Sequence, residues 1–276
     1  MKIKDTIIII NSSNRADKVV THKMFKNVEM EWLYAVPVEQ HTQYLNNPNI
    51  SDHIITIPEE VPQFLSSQRQ WVMENFTKEG YKYVWFMDDD LTFFRRVDMR
   101  LKKCKKKHVA KMVNEVRKHL TEMPVVAIST RLGNNRVVED YDETNRITRC
   151  YAMSTKAFVD VGATFAPFEP FLAQDFHINL CFLNKGYNNR ILYTYAQEDI
   201  GSNAEGGCSV YRNQELQKRV SFWMADNHPE VTVKVKSSKN WKGYKGARVD
   251  MVVQWKKAYK PVKKRTRGGL RRLLNK

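Results

Sequence analysis

Basic residues dominate this 276-residue chain, in which 46 lysines and arginines outnumber 30 aspartates and glutamates and give a formal net charge of +16. The length suits one large α/β domain, or a domain with an extension. No apolar run approaches the roughly 18 residues of a membrane helix. The four cysteines lie far apart without CxxC spacing, which argues against a zinc knuckle or a disulfide framework and suits a reducing cytosol.

Two segments carry most of the positive charge. Residues 234–276 hold 16 basic residues against one acidic residue, and residues 95–118 hold 11 against two. The rest of the chain is therefore acidic, with a net charge of −8. An acidic body with two basic segments predicts a polyanionic partner, either nucleic acid or an anionic membrane surface.

The first predicted element is a buried strand over the isoleucines of residues 7–10. We interpret it as a strand rather than a signal peptide, because the apolar run is short and no small-residue cleavage site follows. A polar loop comes next, formed by Asn11, Ser12, Ser13, Asn14 and Arg15. Such a loop can contact the base and ribose of a nucleoside, with Arg15 on a phosphate, but it could equally cap a helix.

Strands and helices then alternate, which predicts a mainly parallel sheet. Strands are expected over residues 32–36 and 53–57, and a helix over residues 64–76 is followed by Gly80. Arg69 lies near the start of that helix, where an anion is stabilised.

Three consecutive carboxylates follow the apolar strand predicted over residues 83–87. In an extended backbone, Asp88 and Asp90 would lie on one side and Asp89 on the other. A turn or a helix cap would also use aspartates. Three in a row at the end of a buried strand favour a site for Mg²⁺ or Mn²⁺.

The second half of the chain contains two further candidate residues. A basic helix is predicted within residues 101–120, and strands are predicted near residues 125–129 and 146–154. Further along the chain, Asp175 precedes a predicted helix that ends near Gly186. Asp175 is either an N-cap or a general base. The next predicted elements are a strand at 193–197, a glycine-rich lid at 201–209 and a helix at 212–224. His228 follows them and is either structural or a third metal ligand.

We expect residues 1–233 to form the catalytic domain and residues 234–276 to form a basic extension. Aromatic residues are interleaved with the lysines of the extension, a composition that suits binding to nucleic acid. These aromatic residues are Trp241, Tyr244, Trp255 and Tyr259.

Four short motifs carry a family resemblance. They are Asp-Asp-Asp-Leu at 88–91, Gln-Asp-Phe-His-Ile-Asn-Leu at 174–180, Gly-Tyr-Asn-Asn at 186–189 and Gly-Gly-Cys-Ser at 206–209. Over roughly residues 4–228 the chain resembles the GT-A class of nucleotide-sugar glycosyltransferases, and within it the TET-associated glycosyltransferases, phage enzymes that decorate modified DNA bases. The resemblance implies an α/β fold of GT-A (Rossmann-like) type, with a mixed, mainly parallel sheet flanked by helices.

The resemblance also implies roles for the candidate residues. Mn²⁺ or Mg²⁺ would be held by Asp88 and Asp90, with His228 as the possible third ligand, and Asp175 would be the base. Gln174 stands where many members have a second acid. The residues expected to bind the nucleotide-sugar donor, a UDP-sugar, are Asn11, Ser12, Ser13, Arg15, Arg69, Asp88 and Asp89.

The function expected from these features is glycosylation of a modified base, such as 5-hydroxymethylcytosine, in phage DNA in the host cytoplasm. One alternative is a glycosyltransferase for a cell-surface glycan or lipid, with the basic extension on an anionic membrane. A nuclease or nucleotidyltransferase would also use clustered carboxylates. A non-enzymatic DNA-binding module with structural aspartates is the last alternative.

Overall fold

The computed structural model describes residues 4–135, 137–199, 207–237 and 247–261, and its centre is a ten-stranded sheet. The strands of this sheet are β1 (Lys4–Asn11), β2 (Trp32–Pro37), β3 (Ile54–Ile57), β4 (Tyr81–Asp88), β5 (Thr92–Val97), β6 (Arg100–Lys103), β7 (Val125–Thr130), β8 (Tyr141–Glu143), β9 (Cys150–Ser154) and β10 (Asn189–Glu198). The helices are α1 (His41–Leu45), α2 (Leu65–Lys78), α3 (Lys106–Leu120), α4 (Arg131–Asn134), α5 (Thr155–Val161), α6 (Gln174–Asn184), α7 (Gln214–Asn227) and α8 (Trp255–Ala258).

The strand order is β3-β2-β1-β4-β9-β7-β10-β5-β6, with β8 beside β10. The pairs β3–β2, β2–β1, β1–β4 and β7–β10 are parallel. Strand β9 lies antiparallel between β4 and β7, and β5 is antiparallel to both β10 and β6. The expected α/β fold with a mixed, mainly parallel sheet is therefore confirmed.

The four isoleucines of β1 explain how the sheet is covered. Ile8 and Ile10 face one side, where they join a core that α3 completes, and Ile7 and Ile9 face the core beneath α2, α5 and α6. All four side chains are fully buried. Because successive side chains of a strand point to opposite faces, a continuous apolar run is what a strand covered on both faces requires.

The segment after the aspartates differs from its prediction. The basic helix expected within residues 101–120 is present as α3, but it begins only at Lys106, because the chain first forms the antiparallel hairpin of β5 and β6. Buried residues recur along α3 at helical spacing, so one face packs on the sheet and the lysines face outward. The hairpin was missed because its exposed basic residues obscure the alternation of a strand.

The expected domain boundary after residue 233 falls inside a strand. Strand β11 (Val231–Ser237) pairs with β12 (Ala247–Val253), and the two form a hairpin that packs with α6, α7 and α8 in a third apolar cluster. The first part of the basic extension is therefore integral to the fold. Among the described residues, no helix is both long and apolar enough to span a membrane.

Candidate functional site

A cleft of about 780 Å³ opens at the carboxyl ends of β1 and β4. These strands are parallel neighbours, with Asn11 in register with Asp88, so the polar residues that follow them meet at one edge of the sheet. The cleft brings together nine of the ten predicted site residues, namely Asn11, Ser12, Ser13, Arg15, Arg69, Asp88, Asp89, Asp90 and Asp175.

The three aspartates occupy the end of β4 and the turn that follows. Nη2 of Arg69 donates to Asp88 at 2.9 Å, whereas Nη1 of Arg15 donates to Asp89 at 2.9 Å and to Asp90 at 3.3 Å. The hydrogen bonds therefore join Asp88 to Arg69 and the other two aspartates to Arg15, whereas an extended backbone would place Asp88 and Asp90 on one side. The reason is that the strand ends at Asp88 and the backbone turns, so the alternation of an extended chain stops there.

The backbone of this turn is fixed by hydrogen bonds to the start of a 3₁₀ helix at Thr21–Met24. The Thr21 hydroxyl donates to the carbonyl oxygen of Asp88 at 2.8 Å and accepts from the amide of Leu91 at 2.8 Å. The amides of Val20 and Thr21 both donate to the carbonyl oxygen of Asp89. The position of the aspartates is thus set by a segment that the sequence reading did not single out.

The electrostatics of the turn favour a cation. Burial raises the pKa of Asp88 to about 6; Arg69 opposes this rise, whereas Asp90 and Asp89 add to it. Burial and Asp89 likewise raise the pKa of Asp90 against the effect of Arg15. Carboxylate oxygens are hard ligands, so the donor set fits Mg²⁺ or Mn²⁺ and would be fully ionised beside such an ion.

The loop after β1 is ordered by side chains from the 3₁₀ helix at Val38–Gln40 and from α1. The Ser12 hydroxyl lies 2.7 Å from the hydroxyl of Tyr44 and donates to Asp89 at 2.5 Å. Gln40 accepts from the amide of Asn14 at 2.7 Å and donates to the Ser13 hydroxyl at 3.1 Å. Gln40 and Tyr44 were missed in the sequence, although they follow β2 and so belong to the same edge of the sheet.

Asn11 is buried in this loop, and neither polar atom of its side-chain amide has a hydrogen-bond partner among the described residues. A buried donor or acceptor without a partner costs about 1–3 kcal/mol. Asn11 lines the cleft, but both polar atoms of its amide are covered, so a ligand would reach this donor and acceptor only after the side chain turns toward the cleft. A nucleobase edge presents the complementary groups.

Arg69 links the aspartate turn to the opposite side of the cleft. Its buried guanidinium lies 5.3 Å from the ring centre of Phe86 and 5.4 Å from that of Tyr151, and it donates to the Tyr151 hydroxyl at 3.1 Å. That hydroxyl donates in turn to Gln174 at 3.4 Å, at the start of α6. Most of Arg69 is therefore engaged by the protein itself.

Asp175 lies in the first turn of α6, half-buried in the cleft. The N-cap position belongs to Ala173, so the alternative that Asp175 is the cap is wrong. One carboxylate oxygen of Asp175, Oδ1, accepts from the amide of Phe176 at 3.0 Å. Arg149 and Asp199 also line the cleft and form an ion pair of 2.9 Å, which the sequence did not reveal.

His228 is the predicted site residue that the structure does not bring to the aspartates. It does not line the cleft, and its Nε2 atom instead lies 2.8 Å from Nδ1 of His177.

The residues before Gly207 in the predicted lid lie outside the described residues. Gly207 itself donates to the carbonyl oxygen of Ser13 at 3.1 Å.

The structure describes two of the four aromatic residues of the basic extension. Trp241 and Tyr244 lie outside the described residues. Trp255 packs edge-on against Phe176 at 5.2 Å and Tyr259 joins the same apolar cluster. These two rings are therefore packing residues rather than an open surface for stacking bases.

The fold and the cleft together define an α/β enzyme with a ligand site at the carboxyl ends of parallel strands. The family of TET-associated glycosyltransferases matches residues 6–207. The chain belongs to this family, and it is thereby a nucleotide-sugar glycosyltransferase. No curated protein matches the chain.

Three solved structures illustrate the range of structural similarity. The structure of residues 1–349 of S. aureus TarS is 13% identical, with 81% of this chain and 66% of that chain covered and a TM-score of 0.44. Glucosyl-3-phosphoglycerate synthase of Mycobacterium tuberculosis, with Mg²⁺ and UDP, is 9% identical over 84% of each chain, with a TM-score of 0.48. GalNAc-T7, with UDP, GalNAc and Mn²⁺, is 10% identical over 82% of this chain and 50% of its own, with a TM-score of 0.49.

Proposed function

We propose that this glycosyltransferase moves a sugar from a nucleotide-diphosphate sugar, with UDP as the expected nucleotide, onto a modified base in double-stranded DNA. The proposed acceptor is a hydroxymethyl group such as that of 5-hydroxymethylcytosine, which would place the reaction in the cytoplasm of a phage-infected host. The observation that carries the proposal is the single cleft that unites the β1 loop, the aspartate turn and Asp175.

Donor binding is assigned to the β1 side of the cleft. The unpartnered amide of Asn11 would pair with the nucleobase, and Ser13 would contact the ribose. Arg15, which already lies against two carboxylates, would reach the diphosphate. Asp88 and Asp90 would hold Mn²⁺ or Mg²⁺, which when bound neutralises the negative charge that develops on the departing diphosphate.

Acceptor activation is assigned to Asp175. Because its Oδ1 atom accepts from the Phe176 amide, the carboxylate is held in one orientation and Oδ2 is the atom proposed to take the proton from the attacking hydroxyl. Arg69 is a positioning residue in this scheme. It ties Asp88, through Tyr151 and Gln174, to the helix turn that carries Asp175.

The DNA backbone is assigned to the β5–β6 hairpin and the start of α3. Exposed basic side chains on this surface are Arg100, Lys102, Lys103, Lys105, Lys106, Lys107 and Lys111. Strand β5 leaves the aspartate turn directly, and its six residues span about 20 Å. That length matches about six base-pair steps, so a duplex with one base in the cleft could also contact this surface.

The described part of the basic extension contributes less to this surface. Lys256 bonds Asp142 at 2.7 Å and the carbonyl oxygen of Glu143, and Lys260 pairs with the buried Glu230 at 3.5 Å. These lysines attach the extension to the catalytic body. We therefore assign the principal DNA contact within the described chain to the β5–β6 hairpin and α3.

The decisive experiment incubates the purified protein with Mn²⁺, a pool of nucleotide sugars and duplex DNA that contains 5-hydroxymethylcytosine. Mass spectrometry of the digested DNA should show a nucleoside heavier by one sugar. Donor hydrolysis with unchanged nucleosides would reject this acceptor but retain the transferase. Sugar transfer to a glycan or lipid without any need for DNA would replace the DNA proposal.

The role of Asp175 has its own test. Asp175→Asn keeps the shape of the side chain but removes the basic oxygen, so we expect the transfer rate to fall by about 10²–10⁴-fold with little change in donor affinity. Asp160→Asn, on the exposed side of α5, is the matched control. A transfer rate within a few-fold of the parent protein would exclude Asp175 as the base.

A further inference from the structure

A second cluster of metal-binding residue types lies outside the cleft. His177 and Cys181 are four residues apart on α6, so both side chains lie on one face of the helix. His228 follows the end of α7 and faces them. The ligand atoms of these three residues all lie within 4.8 Å of one another. We propose that they bind a Zn²⁺ ion, with a water molecule in the fourth position, at a site separate from the aspartate cleft.

The distances agree with tetrahedral coordination. With Zn–N and Zn–S bonds of ordinary length, two ligand nitrogens are about 3.3 Å apart and a nitrogen and a sulfur about 3.6 Å apart. The two histidine nitrogens are separated by 2.8 Å, and Sγ of Cys181 lies 3.8 Å from the same nitrogen of His177. Shifts of about half an ångström would therefore accommodate the ion.

The chemistry of the three groups also suits zinc. Burial lowers the pKa of His177 to about 3 and lowers that of His228, so both imidazoles are neutral at pH 7 and offer a lone pair. Burial raises the pKa of the Cys181 thiol to about 12, so the thiol keeps its proton when no cation is near. Binding would form a Zn–S bond and release that proton to solvent, and a water molecule at the partly exposed Cys181 would complete the coordination.

The surroundings distinguish this cluster from the aspartate turn. The rings of Trp223 and Phe171 lie 5.2 Å and 5.7 Å from that of His177, so the surroundings of this ligand are apolar. Two nitrogens and one sulfur form a donor set that Mg²⁺ and Mn²⁺ do not favour, whereas the aspartates offer only oxygen. The two sites should therefore take different ions from a mixture.

The position of the cluster indicates what the ion would do. His177 lies two residues after Asp175 on α6, and His228 lies three residues before the first residue of β11. A bound ion would tie the helix that carries Asp175 to the junction between α7 and the β11–β12 hairpin. Its effect would be on the packing of these elements rather than on the sugar donor, because none of the three ligands lines the cleft.

The test measures metal content rather than sugar transfer, so its outcome is independent of the proposed function. Untagged protein purified without chelator should contain about one zinc per chain by mass spectrometry of the elements. Zinc should be lost in Cys181→Ser and in His228→Asn but retained in Asp90→Asn and in Cys104→Ser, which alters a buried cysteine elsewhere. Zinc that is absent from the parent, or that survives in Cys181→Ser, would overturn the proposal.

A second measurement covers the case in which the variants do not fold. The parent protein, depleted of zinc and loaded with Co²⁺, should show the thiolate-to-cobalt charge-transfer band and the intense visible bands of tetrahedral coordination. Removal of the ion should also lower the melting temperature, because a metal that binds only the folded state stabilises it. A cobalt spectrum without a thiolate band would contradict the proposal even if cobalt binds.

Discussion

The two halves of the chain build the two sides of the cleft in different ways. Residues 4–90 contribute polar groups directly at the ends of parallel strands, where the β1 loop and the aspartate turn share hydrogen bonds. Residues 91–261 contribute Asp175 from a helix start and Arg149 and Asp199 from loops beside antiparallel strands. The first side is thus fixed by the sheet itself, whereas the second depends on packing between helices and hairpins.

This difference suggests a division of labour. A donor that every reaction shares needs a rigid site, and the strand ends of the first half provide one. The proposed acceptor, a DNA duplex, is large and needs an extended surface, and the exposed basic residues of the β5–β6 hairpin and α3 are the surface that we assign to it. Variants in the first half should therefore change how the rate of transfer depends on the donor concentration. Variants in the second half should change how it depends on the DNA concentration.

The largest effect is expected where the two halves meet, at the aspartate turn. Asp90→Asn removes a proposed metal ligand whose carboxylate accepts from Arg15 at 3.3 Å, and asparagine keeps an oxygen that can accept the same bond, so folding should be preserved. We expect transfer to fall by about 10³-fold or more in steady-state assays, because charge on the leaving diphosphate loses its stabilisation.

DNA binding by Asp90→Asn should equal that of the parent protein in a filter or anisotropy assay. Asp160→Asn again serves as the control for loss of one carboxylate. If Asp90→Asn turned over at the parent rate with Mn²⁺ present, the metal role of this residue would be excluded.

The next effect concerns the second half alone. Replacing Lys102 and Lys103 with Glu on β6 should weaken DNA binding by about 10–100-fold and reduce the dependence of log affinity on log salt by about two. Donor affinity should not change. The control with the same charge change is the pair Lys78→Glu and Lys185→Glu, which lie exposed at the ends of α2 and α6. Equal losses in both double variants would mean that only net charge matters.

A smaller effect is expected from the first half alone. Asn11→Ala removes the amide proposed to pair with the nucleobase, and one or two lost hydrogen bonds correspond to about a tenfold increase in donor KM. The variant should be folded at least as well as the parent, because the amide has no partner among the described residues. Ser13→Gly would be a poor control because it changes backbone freedom, so Ser209→Ala, which also alters a residue that lines the cleft, is preferred.

The two halves also differ in how well the sequence predicts them. Strands β1 to β4, helix α2 and the aspartate turn follow from apolar runs that end in polar residues, because a strand buried on both faces leaves a clear pattern. The β5–β6 hairpin and the β11–β12 hairpin were not predicted. Their exposed positions carry basic residues such as Lys102, Lys103 and Lys234, which obscure the alternation of apolar and polar residues that marks a strand.

The same physical reason explains the site residues that were found and missed. Asp175 and Asp88 are conspicuous because they interrupt apolar segments. Gln40 and Thr21 act through bonds to residues 26 to 70 positions away, and nothing in their local sequence indicates those partners. His228 was recognised as a possible ligand, but its spatial partner is His177 rather than the aspartates.

The last prediction tests whether acid loosens the first half through its buried histidine. Nδ1 of His22 lies 2.9 Å from the Tyr34 hydroxyl beneath the 3₁₀ helix that holds the aspartate turn, and burial lowers the pKa of His22 to about 4. The unfolded chain binds this proton near pH 6.5, so stability is complete above that pH and declines as the pH falls toward 4. His22→Asn keeps a hydrogen-bonding group near the Nδ1 position and removes the titration. When the pH falls from 6.5 to 5, the free energy of unfolding should therefore decrease by about 1–2 kcal/mol less in His22→Asn than in the parent, as measured by urea titration. His41→Asn, at the start of α1, should follow the parent curve, and an unchanged slope in His22→Asn would show that His22 is not the residue through which acid acts.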